Sequence, residues 1–219
     1  MAKLTWDDTG KRFFETGVSN GVLYPMETGV YKTGVAWNGL VSVTDSPSGA
    51  ESNPQYADNI KYLELRSPEE KGITIEAFTY PDEFAACDGS AEPTEGVQIA
   101  QQPRAKFGFS WQSKKGNDVD NEEHGFFIHI AYGCTASPTE KAYSTINDSP
   151  EAATFSWECD TTKVPVSGMK PTSYIKIDST KAPSAAMTAL MDKLYGAATG
   201  DGPKLPTPDE VLDLFLFGP

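Results

Sequence analysis

A serine framed by glycines, Gly17-Val18-Ser19-Asn20-Gly21, has the spacing of a nucleophile elbow. That motif presents a serine hydroxyl for attack only where a strand turns sharply into a helix. Here Val22-Leu23-Tyr24-Pro25 follows, which continues a strand and then breaks it. Too little chain precedes Ser19 to build the parallel sheet an elbow stands on. A second run, Asp118-Val119-Asp120-Asn121-Glu122-Glu123, places four carboxylates in six residues. An EF-hand needs glycine at the sixth position and glutamate at the twelfth; those places hold Glu123 and His129. An irregular calcium site and a solvated hairpin tip both suit the run. His124 and His129, the only histidines, are an odd number of residues apart, so on one strand they face opposite ways and cannot share a metal ion.

Cys87, Cys134 and Cys159 are odd in number and far apart, which excludes a disulfide framework or a C-x-x-C site. Cys159 alternates with Phe155 and Trp157 and reads as a small buried hydrophobe. Neither standard glycine-rich phosphate cradle occurs. Asn147-Asp148-Ser149 is a nominal glycosylation acceptor followed by Pro150. No catalytic residue, cofactor site or metal site is therefore expected.

The elements that would carry these residues are mostly strands. Phe107, Phe109 and Trp111 alternate with small or polar residues, and so do Phe155, Trp157 and Cys159. Phe126, Ile128, Ile130 and Tyr132 alternate with Phe127, His129 and Ala131; Ile175 and Ile177 alternate with polar neighbours, and Ile73 and Ile75 flank Thr74. This period of two predicts half-buried antiparallel strands with one wet face. Earlier strands are expected near 18–24, 30–43 and 60–65. Between the last two, residues 44–59 are rich in Ser, Pro, Asn and Asp and read as a long connecting loop. Ser184 is the expected cap of a helix over Ala185–Leu194 that Gly196 stops. Thr207-Pro208-Asp209-Glu210 is a capping box with proline at the first helical position. Tyr80-Pro81-Asp82-Glu83-Phe84 echoes it, as helix-start chemistry used twice. The apolar stretch 211–217 behind the Gly/Pro-rich linker 197–206 either docks on a neighbour or folds back on its own domain.

Composition sets the frame. Hydrophobic residues make up 38% of 219, below the usual share for a self-contained core. The net charge is −13, spread evenly over both halves of the chain. Such a surface repels nucleic-acid phosphates and also aids solubility. No apolar run approaches the roughly 20 residues of a membrane-spanning helix. The first residues, Met1-Ala2-Lys3-Leu4-Thr5-Trp6-Asp7-Asp8, lack the apolar core of a signal peptide, so folding in a cytoplasm is expected.

One set of strings is more specific. It comprises Pro25-Met-Glu-Thr-Gly-Val-Tyr-Lys-Thr-Gly-Val-Ala-Trp-Asn-Gly-Leu-Val-Ser-Val43, Tyr56-Ala-Asp-Asn-Ile-Lys-Tyr-Leu63, Ile75-Glu-Ala-Phe-Thr-Tyr-Pro-Asp-Glu-Phe84 and Cys87-Asp-Gly-Ser90. Lys141-Ala-Tyr-Ser-Thr-Ile-Asn-Asp-Ser-Pro-Glu-Ala152 and Ile177-Asp-Ser-Thr180 complete it. Together, from about residue 17 to 180, they resemble the major tail tube protein family of long-tailed (siphovirus) bacteriophages. The resemblance implies a mainly β fold: two packed antiparallel sheets (sandwich or barrel), a flanking helix, a long loop and terminal arms. It divides the chain into an N-terminal arm (1–16), a β-sandwich tube domain (17–180) and a C-terminal helix and arm (181–219).

The implied protein is a non-enzymatic virion component, assembled in the host cytoplasm. Its hexameric rings stack into the tail tube through which DNA is delivered without specific binding. Partners implied besides itself are the tape measure, tail terminator, tail assembly chaperone and baseplate or tail-tip proteins, with no membrane. The ring-stacking loop would comprise Asp45, Ser46, Pro47, Ser48, Gly49, Ala50, Glu51, Ser52, Asn53, Pro54, Gln55 and Tyr56. An acidic lumen lets DNA slide, and the hairpin tip offers Asp118, Asp120, Glu122 and Glu123, unless Lys114 and Lys115 beside it pair with acids of an adjacent subunit. A tube protein of a contractile tail or type VI secretion system would share this fold. A monomeric carbohydrate-binding β-sandwich is a rival of another class. It would expose aromatics on one face, whereas Trp6, Trp37, Trp111 and Trp157 mostly sit in alternating core patterns.

Overall fold

Residues 3–146, 148, 152–198, 200 and 202–218 are described by the computed structural model. Asn147 and Ser149 of the nominal glycosylation acceptor lie outside them. Among the described residues the strands, in chain order, are β1 (Phe14–Glu27), β2 (Val30–Tyr31), β3 (Val35–Trp37), β4 (Leu40–Gly49), β5 (Ser52–Ala57), β6 (Ile60–Arg66) and β7 (Glu69–Ala77). Then follow β8 (Ala91–Thr94), β9 (Val97–Ile99), β10 (Phe107–Asn117), β11 (Asn121–Ala136), β12 (Phe155–Asp160) and β13 (Tyr174–Asp178). The helices are α1 (Ser184–Tyr195) and α2 (Pro208–Phe217), with a single 3-10 turn at Asp82–Phe84. The fold is mainly β, with several antiparallel sheets and no closed barrel, so the sandwich form of the expectation holds.

The long strand β11 joins two layers. Its Phe127–Ala131 stretch pairs with β13, and its last residues, Thr135 and Ala136, pair with β12. One layer is therefore β3-β1-β10-β11-β13, and the other runs from the end of β11 through β12 and β7 to β4. Phe107, Phe109 and Trp111 of β10 point into the space between them, against Ile73, Ile75, Trp157 and Cys159. Trp37 centres this core, with ring centroids 4.6 Å from Phe84 and 5.5 Å from both Phe109 and Trp157. Edge-on aromatic packing of this kind adds about 1 kcal/mol per pair beyond area burial. Cys159 is buried here as expected, with Cys87 and Cys134.

A third layer corrects the expectation of a wet face on β11. Ile128, Ile130 and Tyr132 are buried under Met187, Leu190 and Leu194 of α1 and Val211 and Leu214 of α2, while His129 and Ala131 point the other way and are buried too. The spacing of Met187, Leu190 and Leu194 puts one helical stripe on the sheet. Ser184 is not the cap of α1: Pro183 occupies that place and no side chain caps it. Gly196 does end the helix, at φ 85°. The capping box of α2 is formed as read, with Thr207 Oγ1 accepting from Glu210 N at 3.3 Å and Thr207 N donating to Glu210 Oε2 at 3.0 Å. The segment after the linker thus lies on its own subunit, where Tyr132 OH also donates to Pro206 O at 3.0 Å. Leu216 and Phe217 at its end remain exposed.

Candidate assembly surfaces

Residues 44–59 do not form a loop. β4 pairs with β7 from Leu40 opposite Ala77 out to Gly49 opposite Glu69. β5 and β6 then continue the same two strands to Ala57 opposite Ile60. Asp45, Ser46, Pro47, Ser48 and Gly49 are the outer end of β4, Ala50 and Glu51 are a joint, and Ser52, Asn53, Pro54, Gln55 and Tyr56 belong to β5. β12 accompanies β7 only as far as Gly72. Beyond it a two-stranded ribbon projects, and residues 47–57 alone span roughly 30 Å at the usual strand rise.

Local chemistry explains why this stretch misreads as loop. Each strand of a ribbon has a free edge on which a proline nitrogen can sit, so Pro47 and Pro54 are tolerated. The tip is Asp58-Asn59, with φ 48° and 61°, the doubly left-handed pair of a type I′ hairpin turn. At the joint Gly49 has φ 78°, and a Cβ there would stand 2.2 Å from Pro68 O. Only glycine fits. Glu51 N donates to Ser67 Oγ at 2.9 Å and Ser67 N to Glu51 O at 3.1 Å, which ties the two halves together. On β6, Glu64 accepts from Ser52 at 2.5 Å and pairs with Lys61 and Arg66. The apolar side chains have no such partners: Tyr56 is 71% exposed, Ile60 63%, Tyr62 70% and Leu65 56%. By the alternation of a strand, Ile60 and Tyr62 face one way and Leu63 and Leu65 the other.

The acidic tip between β10 and β11 is tied down from within. Asp118 Oδ1 accepts from Gly10 N at 2.9 Å and Arg12 N at 3.4 Å, and the Arg12 guanidinium lies 3.8 Å from Asp118 Oδ2. Asp118 therefore anchors the N-terminal segment. Asp120 pairs with His124 Nδ1 at 2.9 Å and accepts from Asn117 Nδ2 at 3.1 Å; these bonds hold its carboxyl below the usual range. Glu122 takes Lys114 at 2.9 Å. Glu123 has no side-chain hydrogen bond or ion pair among the described residues. Lys115 is buried and bonds Asp178 at 2.6 Å and Thr180 at 2.6 Å within its own chain. It is not free for an adjacent subunit. Burial would raise Asp178, but the bonds from Lys115 and Thr180 lower it. Among the described residues no group of three or more His, Cys, Asp or Glu is placed to hold a metal ion.

Sequence reading missed a polar cluster on β1, β10, β11 and β13. Ser113 Oγ donates to Glu15 Oε1 at 2.5 Å and lies 2.7 Å from His129 Nε2. His129 Nδ1 lies 2.6 Å from Tyr174 OH, and Lys176 bonds the other Glu15 oxygen at 2.5 Å. His129 also stacks on Trp111, centroids 4.9 Å apart. Its residue types are those of a hydrolytic triad, but the roles are not. In a triad the carboxylate orients the imidazole from the nitrogen opposite the serine. Here Glu15 is 3.3 Å from the same nitrogen that meets Ser113 and takes the serine proton itself. Tyr174, its hydroxyl pushed up by burial, stays a donor. One neutral tautomer satisfies all four groups: Nε2–H to Ser113, and Tyr174 O–H to Nδ1. Burial, then Lys176, lowers His129 to about 4. Ser19 lies exposed within β1, near a positive-φ Gly17 at 70°, with no helix following. Burial pushes the thiols of Cys87 and Cys159 up to about 12 and that of Cys134 well up, so all three stay protonated.

Comparison with known proteins adds little to this geometry. No family model matches the chain, and no curated protein matches it. Among solved structures, a chain of the anti-feeding prophage (AFP) baseplate, a 6-fold symmetrised cryo-EM structure, is similar at 7% identity and TM-score 0.37, covering 80% of this chain and 97% of that one. A chain of the extracellular contractile injection system PVC sheath-tube complex in the extended state is similar at 12% identity and TM-score 0.30, covering 79% and 93%. Neither likeness is close enough to carry a function across.

Proposed function

We propose that this chain is a structural subunit of a phage-type tail tube, a virion protein that works by self-assembly and not by catalysis. The observation that carries the reading is the ribbon. A two-stranded hairpin is marginal on its own in water, and a row of exposed aromatic and aliphatic side chains marks a contact surface. A projection of this kind is completed by a neighbour. The family strings point to the same neighbour, another copy of the chain. In this reading the ribbon bridges stacked hexameric rings, and residues 45–56 act as strands of an arm instead of as a loop. The acidic surface faces DNA in transit, and the other partners are those the resemblance implies: tape measure, terminator, chaperone and tail-tip proteins.

Negative-stain microscopy of the purified chain at increasing concentration tests this. Rings or tubes are expected. Replacing residues 52–66 with a short Gly/Ser linker leaves the core pairing of β4, β7 and β12 intact and should abolish elongation while circular dichroism still shows a β-fold. Tubes of normal length from that variant would refute the stacking role, and particles that never exceed a monomer from the wild type would refute the reading itself.

A further inference from the structure

The chain carries 31 acidic and 18 basic side chains, yet one groove reverses the sign. It has a volume of about 640 Å³ and lies at the root of the ribbon, between the start of β7 and the segment 163–174. Arg66, Lys71, Lys163 and Lys170 line it against only Glu69 and Glu70. Lys71 is committed to Asp45 at 2.5 Å and to the Tyr174 ring at 4.6 Å, and Arg66 to Glu64 at 3.5 Å. Lys163 and Lys170 have no ion pair or hydrogen bond among the described residues. Pro68 and Pro171 supply apolar wall, and Met169, next to Lys170 in the chain, is 68% exposed.

The complement lies beyond Asp88, which Lys141 binds at 2.6 Å and the Arg104 guanidinium approaches at 3.7 Å. From Asp88 the chain runs into the β8–β9 hairpin, whose side chains are exposed throughout. Glu95 at its turn and Glu83 beside its root have no ion pair among the described residues, and Glu92 caps the turn by accepting from Gly96 N at 2.6 Å. Val97 and Ile99 add two half-exposed apolar side chains. A contact between two different surfaces of one chain joins successive copies head to tail, closing into a ring or running on as an open stack.

We infer that the β8–β9 hairpin of one copy docks in the cationic groove of the next, with Glu95 and Glu83 meeting Lys163 and Lys170, and Val97 and Ile99 meeting Met169 and the prolines. The inference rests on the self-assembly reading above and names the surfaces that meet. It is tested by disulfide trapping between two single-cysteine additions, E95C and K170C, mixed in the full-length chain. Cross-linked heterodimer should form readily at low salt and several-fold less at high salt, since exposed pairs are screened. K163E added to the K170C partner should reduce trapping about tenfold, and E83K in the E95C partner should restore most of it, because like charges facing each other oppose association and a swapped pair does not. All four positions are solvent-exposed or partly so, and circular dichroism checks each fold. Trapping that is absent, or indifferent to both charge changes, overturns the inference. So does tight binding of a labelled DNA oligonucleotide that K163E/K170E abolishes, since the groove would then hold phosphates. Rings and tubes without the cross-link would sink this contact and leave the tube reading standing; the cross-link in chains that never close into rings would do the reverse.

Discussion

At the residue scale, His129 stands out because it is buried, neutral and fully bonded. Its pKa is lowered from 6.5 to about 4 by burial and by Lys176. The unfolded chain therefore binds the extra proton first as pH falls. The stability it supports is fully present above about 6.5 and is lost as pH falls through the folded value near 4. Groups facing it from the packed strands are Glu15, Asp45, Ser113, Tyr174 and Lys176, and Glu15, also lowered, loses its bonds in the same direction. Thermal melts from pH 7.5 to 4 should show a falling Tm. H129Q should be less stable at pH 7 by about 1–3 kcal/mol but should show a shallower fall between 6.5 and 4. An identical pH slope in the variant would mean that carboxylates alone carry the acid sensitivity. Whether a histidine is exposed, ligating or buried was invisible in the sequence, because nothing local to residue 129 reveals Glu15 or Tyr174.

At the scale of elements, the ribbon and the C-terminal helix behave differently. The ribbon joint depends on Gly49, whose positive φ and close approach to Pro68 O exclude any other side chain. G49V should leave the melting of the buried core nearly unchanged, since the site is exposed and at a ribbon joint. It should nevertheless reduce tube elongation several-fold by strain of about 1–3 kcal/mol at the joint. Equal loss of core stability would show that the ribbon is part of the folding unit. Truncation after Gly200 removes Leu205, Val211 and Leu214 from the helix layer over β11. Losing buried groups of this size costs several kcal/mol, so Tm should fall on the order of 10 °C. An unchanged Tm would mean that α2 contributes no packing. The start of α2 was legible because its capping box is local chemistry, whereas α1 begins at Pro183 with no side-chain cap. The ribbon was not legible, since polar, proline-bearing strands lack the alternation that a core imposes.

At the scale of the whole molecule, charge and shape act together. In an assembled tube, acids that face the lumen would keep DNA from the wall by withholding the counterion release that drives binding. The structure narrows which tip acids can be changed cleanly. Asp118 holds the N-terminal segment and Asp120 holds His124, so altering them would disturb the fold. Glu123, and Glu122 whose one tie is an exposed pair with Lys114, are the ones to reverse. On the tube reading proposed above, particles whose tails carry E122K/E123K should assemble normally and eject DNA more slowly, with the delay shrinking as salt rises, because exposed charges are screened beyond roughly 10 Å at 0.1 M. Intact tails with unchanged ejection would place this tip on the outer surface.

Strand period, the α2 capping box and burial of small hydrophobes are short-range matters, and they are written in the residues themselves. The alternation of Phe107, Phe109 and Trp111 marked a core strand, Thr207 to Glu210 marked a helix start, and the alternation of Cys159 with Phe155 and Trp157 marked a buried thiol. Which surfaces meet is settled instead by how the layers close. The helices bury the Ile128, Ile130 and Tyr132 face, where a wet face was expected. Asp118 is spent on Gly10 and Arg12, and Lys115 on Asp178. Residues 44–59 pair with 60–74 instead of wandering as a loop. Each of these pairings joins groups whose local sequence carries no sign of the partner. Their free energy comes from desolvation and hydrogen bonds that exist only once the layers have closed.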